Sequence, residues 1–163
     1  CGIKPNWRNA FEKIEIGKGR KLSDGNDVAL VTIGKAGIFA KRAVKSLENK
    51  GISAAHYDLR FVKPIDAEML TEIFNNYKFI VTVEDGAIQG GFGSAVLEFM
   101  AENNFSATVK LLGIPDKFIE HGSPEDLYKE CGIDVKGITN SVLDLLGTEK
   151  VVNQHSVLIG NHH

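Results

Sequence analysis

Lys78-Phe-Ile-Val-Thr-Val-Glu84-Asp85, then a short polar turn, then Gln89-Gly90-Gly91-Phe92-Gly93-Ser94-Ala95-Val96, is the stretch whose reading decides the fold. An apolar, β-branched run ends in two carboxylates and passes through a glycine-rich bend into a helical pattern reaching Met100. Such bends at the carboxyl ends of parallel strands are where α/β folds build their sites. This one lacks the residues that would name a ligand. No Lys-Ser/Thr pair follows the glycines, so nothing reaches a phosphate as a P-loop lysine does. Gly91-Phe92-Gly93 is followed by Val96 where a dinucleotide fingerprint needs its third glycine.

Upstream, Val28 to Ile33 is a continuous apolar strand of the kind buried on both faces. A helix follows with Ala36, Phe39, Ala40, Ala43 and Leu47 on one stripe, and Gly51 past its end suits a left-handed residue. Ser53 to Leu59 is a second central strand, and Arg60-Phe61-Val62-Lys63-Pro64 a stiff loop after it. Asp66 caps the next helix, with Ile65 placed to pack on Leu70. Downstream, Thr108 to Leu112 is a strand ending at Gly113-Ile114-Pro115-Asp116. Ser123-Pro124-Glu125-Asp126 and Asp134 open two short closing helices. At the other end, Phe11 to Leu22 reads as a β-hairpin around Gly17-Lys18-Gly19, supplying an edge strand. Alternation of strand and helix predicts a three-layer α/β/α domain, its mostly parallel sheet of about five strands carrying an antiparallel edge strand.

The 163 residues fit one domain, whose core buries roughly 70% of the unfolded chain's surface. Nineteen basic against 21 acidic residues leave a formal charge of −2, with no basic face for nucleic acid. No apolar run approaches the roughly 20 residues of a membrane span. Cys1 and Cys131 make no disulfide framework, and Cys131 reads as a small buried side chain. The expectation is a cytoplasmic domain with no nucleic-acid or membrane partner. Starting at Cys1 in a polar, proline-containing stretch, the chain reads as part of a larger protein: linker 1–10, folded domain 11–147, tail 148–163.

Each candidate for chemistry has a plainer reading beside it. Glu84, with Asp85 next to it and Gln89, Gly90 and Gly91 in the bend, can orient a ligand or act as a base. It can equally hold the bend shut through backbone amides. His121, in Phe118-Ile-Glu-His121-Gly122, can shuttle protons near neutral pH, yet no nucleophile stands beside it. A hydrogen-bonding or interface role is the reading adopted. Arg60 and Lys63 flank Phe61; they can grip a phosphate or carboxylate, or form ion pairs across a domain or subunit boundary. His56, inside a strand, has no metal-ligand spacing around it. Asp24-Gly25-Asn26-Asp27 is explained as a turn. No catalytic, cofactor-binding or metal-ligating residue is assigned. Arg60, Phe61, Lys63, Glu84, Gln89, Gly90, Gly91, Asp116 and His121 remain as interface or loop-organising candidates.

Four segments carry a resemblance. Asp58-Leu-Arg-Phe-Val-Lys-Pro-Ile-Asp66, Thr82-Val-Glu-Asp85, Gly90-Gly-Phe-Gly-Ser-Ala-Val96 and Gly113-Ile-Pro-Asp-Lys-Phe-Ile-Glu-His-Gly122 stand in this order. Together they resemble the carboxyl-terminal domain of the 1-deoxy-D-xylulose-5-phosphate synthases, thiamine-diphosphate enzymes of the transketolase group. The similarity runs from about Trp7 to Leu146. Asp85 departs from it, standing where that family more often has a second glutamate.

The resemblance implies a full-length transferase joining pyruvate to glyceraldehyde 3-phosphate, with loss of carbon dioxide, using thiamine diphosphate and Mg2+. Its product feeds isoprenoid, thiamine and pyridoxal synthesis. It implies that the metal motif, the cofactor-activating glutamate and the main substrate-phosphate arginines lie in two preceding domains. The isolated fragment is then expected to be inactive and to bind no cofactor. Its partners would be its own upstream cofactor-binding domains and, through the parent, a homodimer. Two alternatives stay open: the same domain of another transketolase-like enzyme, such as a 2-oxo-acid dehydrogenase β-subunit, and a free-standing anion-binding module using the helix near Gly90.

Overall fold

The computed structural model describes residues 13–117 and 122–159, with 148–159 as backbone alone. Five strands form one sheet: β1 (Arg20–Ser23), β2 (Val28–Thr32), β3 (Ala54–Asp58), β4 (Phe79–Ala87) and β5 (Thr108–Ile114). Their order is β1-β3-β2-β4-β5, parallel throughout except for β1. The helices are α1 (Ala36–Glu48), α2 (Ala67–Asn76), α3 (Phe92–Glu102), α4 (Pro124–Glu130) and α5 (Val135–Ile159). This is the expected mixed α/β sheet with an antiparallel edge.

Strand alternation divides the core into two halves. Val28, Leu30, Val81, Val83 and Leu112 meet α1 and α5 on one face. Ala29, Val31, Tyr57 and Ile80 meet α2 and α3 on the other, where Phe74, Phe99 and Phe105 stack with centroids 5.2–6.3 Å apart. All five residues of β2 are buried, as a strand covered on both faces must be. From β2 the chain first crosses to β3 on one side, then returns to β4 on the other. That reversal makes the carboxyl ends of β2 and β4 the switch point of the fold.

The local signals in the sequence have their physical counterparts. Asp66 caps α2, its Oδ1 accepting from the Met69 amide at 3.1 Å. Ser123 caps α4 with Pro124 at the first helical position. Asp134 Oδ1 accepts from the Gly137 amide at 2.8 Å at the start of α5. Gly51 lies past the end of α1 at φ +77°, with the Ile52 amide reaching back to the Leu47 carbonyl.

Three expectations need correction. The hairpin of residues 11–22 does not form among the described residues: a turn at Ile16 and Gly17 leads into β1, which pairs with β3. The cause lies in α2. Asp66 Oδ2 takes the Gly19 amide at 2.8 Å, and Lys18 reaches Glu68, so the arm is drawn onto the helix instead of folding on itself. Next, the supposed polar turn after Val83 is largely strand, because β4 runs to Ala87. Gly113 permits this: a Cβ there would stand 2.9 Å from the Gly86 carbonyl and 3.0 Å from Glu84 Cγ. Lastly, the final helix is not short; its backbone continues through Ile159, past the boundary drawn at Gly147.

Candidate functional site

The carboxyl edge of the sheet holds most of the residues singled out from sequence. Glu84, 5% exposed on the α3 side of β4, accepts from the Phe92 amide at 2.8 Å through Oε2 and from the Gly93 amide at 2.9 Å through Oε1. Those are the first two amides of α3, which no earlier carbonyl of the helix can reach. Glycine is required for the approach. A Cβ on Gly91 would collide with the Ala87 carbonyl and the Glu84 carboxylate, and one on Gly93 would stand 2.8 Å from Thr82 Oγ1. Gly90, at φ +70°, donates its amide to Ser94 Oγ at 3.0 Å, and that hydroxyl donates to the Ile88 carbonyl at 2.9 Å. The bend is closed by its own groups. Gln89 and Gly90 lie exposed on its outside.

Asp85, exposed, meets the other side of the sheet. It accepts from the Tyr128 hydroxyl at 2.7 Å, and Lys35 Nζ lies 4.9 Å from the centre of that ring. The tyrosine hydroxyl, with the Asp85 and Glu125 charges behind it, raises the Lys35 pKa. This ties α4 to the ends of β2 and β4.

Arg60 is built differently. It has φ +58°, a left-handed conformation that costs a side-chain-bearing residue about 1–2 kcal/mol. Asp58 holds it there: Oδ1 accepts from the Arg60 amide at 3.2 Å, while Oδ2 takes Arg20 Nε and Nη2, both at 3.0 Å. The Arg60 guanidinium pairs with no carboxylate among the described residues. Phe61 is half-buried; Lys63 is exposed and precedes Pro64 through a cis peptide bond.

Asp116 is exposed beyond β5, and His121 lies outside the described residues. With strands about 4.8 Å apart, the Arg60 loop stands about 10 Å from Glu84 and about 14 Å from the end of β5. Among the described residues, the Arg60 loop, Glu84 and Asp116 thus stand on or after three different strands of the edge.

Sequence reasoning missed two arrangements. One is Asp58 bridging Arg20 and the Arg60 backbone, a pairing of positions 38 apart that only the antiparallel β1 brings together. The other is His56, 1% exposed beneath α1, with Nε2 at 2.9 Å from Thr32 Oγ1. The threonine hydroxyl donates to the Tyr57 carbonyl at 3.1 Å, so the imidazole must donate through Nε2. Burial lowers the His56 pKa to about 4, Asp58 working against the shift and Lys41 and Arg20 with it. A histidine inside an apolar strand is the sequence signal for such a neutral, satisfied ring.

A thiamine diphosphate–metal pair would need acidic and carbonyl ligands converging on a cation. Among the described residues no group of three or more His, Cys, Asp or Glu is placed to hold one. Glu84, the buried carboxylate of the edge, already has both oxygens engaged. The described residues do not fit that cofactor, and no chemical step is derived through it. No helix among them is long and apolar enough to cross a membrane.

This layered sheet with its glycine bend and loop edge defines a class. Residues 17–138 match the family model of the transketolase C-terminal domain, and the chain belongs to that family. It is 55% identical over 146 residues to a Cytophaga hutchinsonii protein named 1-deoxy-D-xylulose-5-phosphate synthase, covering 90% of this chain and 23% of that relative. A Bacteroides fragilis protein of the same name is 53% identical over 138 residues, covering 84% of this chain and 21% of its own. The chain thus spans less than a quarter of the length of these curated relatives. Among solved structures, one titled "Split gene transketolase, inactive beta4 tetramer" superposes with a TM-score of 0.76 at 34% identity, covering 82% of this chain and 43% of that one.

Proposed function

We propose that this polypeptide is the third domain of a 1-deoxy-D-xylulose-5-phosphate synthase. The full-length parent joins pyruvate to D-glyceraldehyde 3-phosphate, releasing carbon dioxide, in the cytoplasm. Thiamine diphosphate and Mg2+ supply the decarboxylation and the carbon nucleophile from the preceding domains, and the parent works as a homodimer. The observation that carries this reading is the identity of about half the residues to synthases over 90% of the chain. The domain's own part is assembly. Its isolated form turns over nothing, and its carboxyl-edge loop packs on the cofactor-binding domains.

Support for the assembly role comes from the Arg60 loop. A left-handed arginine costs stability in the domain alone, and such strain is retained where the conformation serves something outside it. Its guanidinium, paired with no carboxylate among the described residues, presents a planar fork suited to a carboxylate or phosphate across the boundary. The anion-binding module loses ground for a physical reason: the amides an anion would use at α3 already bind Glu84, whose charge would repel a second anion. A separate-subunit arrangement is favoured by the split-gene neighbour alone.

Reading the coding sequence upstream of Cys1 separates these. The synthase predicts both cofactor-binding domains in the same open reading frame; a separate subunit gene would overturn it. Calorimetry with thiamine diphosphate and Mg2+ should give no heat of binding for the 163-residue chain, whereas the parent should bind and turn over.

A further inference from the structure

The sheet is covered unevenly. On the α2 side, α2 lies beside β1 through Lys18–Glu68 and Asp66–Gly19. On the other face α1 and α5 pack over the inner strands, and among the described residues no helix lies above β1. What remains is a groove between β1 and α1 of about 530 Å³, lined by Leu22, Ile38, Val44, Lys41, Lys45 and, at its floor, His56. It runs on past Val44 and Glu48 into a second hollow of about 410 Å³ ending at Gly51 and Ser53. Together they follow α1, about 20 Å in length.

Three observations say what covers it. The large apolar side chains left exposed among the described residues are Ile14, Ile16, Leu22 and Ile38, at 55%, 74%, 43% and 39%. Leu22 on β1 and Ile38 on α1 line the groove, while Ile14 and Ile16 lie on the arm that is drawn onto α2, so two of the four mark this surface. Asp58, which lines this groove, also holds the Arg60 amide, so the groove is continuous with the carboxyl-edge loop. The charge is asymmetric. Arg20 is neutralised by Asp58, but Lys41 and Lys45 pair with no carboxylate among the described residues and outnumber Glu48. A second copy docked symmetrically would bring these lysines together, which argues against self-association.

We propose that the β1–α1 groove is a docking surface for an apolar segment with an acidic edge, contributed by the domain that precedes this one in the parent. The inference rests on the multidomain reading above and adds the surface and the chemistry of its partner. Ile38 and Leu22 supply the apolar contact; Lys41 and Lys45, one helical turn apart, meet the acidic edge.

Hydroxyl-radical footprinting of Leu22 and Ile38 in the 163-residue chain and in the full-length parent tests it. Oxidation in the parent should fall roughly five-fold or more, as burial in an interface core implies. A Lys41→Glu/Lys45→Glu parent should regain much of that oxidation, while the same variant of the shorter chain keeps its melting temperature and circular dichroism. Equal oxidation in both proteins overturns the proposal. So does protection of the shorter chain that grows with its concentration, which assigns the groove to a second copy. Protection that needs added inorganic phosphate overturns it in favour of a small anion. An upstream reading frame without further domains would instead sink the multidomain reading, a result that sequencing gives before any footprint is taken.

Discussion

The glycine bend and the Arg60 loop sit on the same edge of one sheet and are built on opposite plans. In the bend, a buried carboxylate has both oxygens engaged, and Gly91 and Gly93 leave no room for a side chain against it. In the loop, an arginine stands in a costly backbone conformation with its guanidinium unpaired among the described residues. A region whose polar groups are satisfied internally contributes to folding. One that accepts strain and leaves a charge open is organised for something else.

Removing the carboxylate from the closed region should have the largest effect. Glu84→Ala leaves two buried amides without acceptors and a cavity under α3, which should cost about 4 kcal/mol in urea denaturation of this chain. A loss below about 1 kcal/mol would mean that water replaces the carboxylate, and the contrast with the loop would fail.

His56 extends the comparison to the other face of the sheet, where a polar group is again satisfied within the fold. Its pKa falls from 6.5 unfolded to about 4 folded. The unfolded chain therefore binds the extra proton between these values, and stability falls with pH across that window. Above about 6.5 both states are neutral and the full contribution is present; near pH 4 about 3 kcal/mol has been lost. Carboxylates titrate in the same range, so the measurement is a difference. Between pH 7 and 4.5 the native chain should lose about 2–3 kcal/mol more than His56→Gln. Parallel losses would mean that the ring takes its proton as readily in the fold as in the unfolded chain, so burial would not lower its pKa.

How much of this could be read from sequence depends on how local each cause is. Asp66 and Ser123 act within one turn of their own helices, and the apolar run at Val28 needs no partner to declare itself. Glu84 was legible as a residue of the edge, because a carboxylate before a glycine-rich bend has few places to go. Apart from the length of the last helix, which nothing in the described contacts explains, the failures are long-range. The Gly17–Gly19 turn reads as a hairpin until Asp66, 47 positions after Gly19, takes the amide of that glycine. Strand β4 outruns its apolar pattern because Gly113 lies opposite Gly86. Asp58 carries no local hint that it fixes an arginine two residues on and another 38 residues back.

A smaller effect probes a flaw inside the closed region. Thr82 Oγ1 is buried against Gly93 and has no hydrogen-bond partner among the described residues. Thr82→Val keeps the shape and removes the unmet hydroxyl, so it should stabilise the chain by about 1 kcal/mol in the same denaturation assay. Destabilisation would show that the hydroxyl has a partner in solution, most simply a bound water.

The smallest effect on stability should come from the open region, and there the contrast becomes sharpest. At φ +58°, Arg60→Gly relieves the left-handed conformation but adds freedom to the unfolded chain. The two nearly cancel, leaving this domain unchanged or up to about 1 kcal/mol more stable. The same substitution removes the guanidinium from the boundary. In the full-length parent it should weaken assembly and activity, and Phe61→Ala should do so too with little effect on the isolated domain. Because stability and assembly move in different directions, one substitution separates the two plans. A parent that assembles and turns over normally with Arg60→Gly would make the loop a tolerated irregularity, and the strain would lose its only reason to be there.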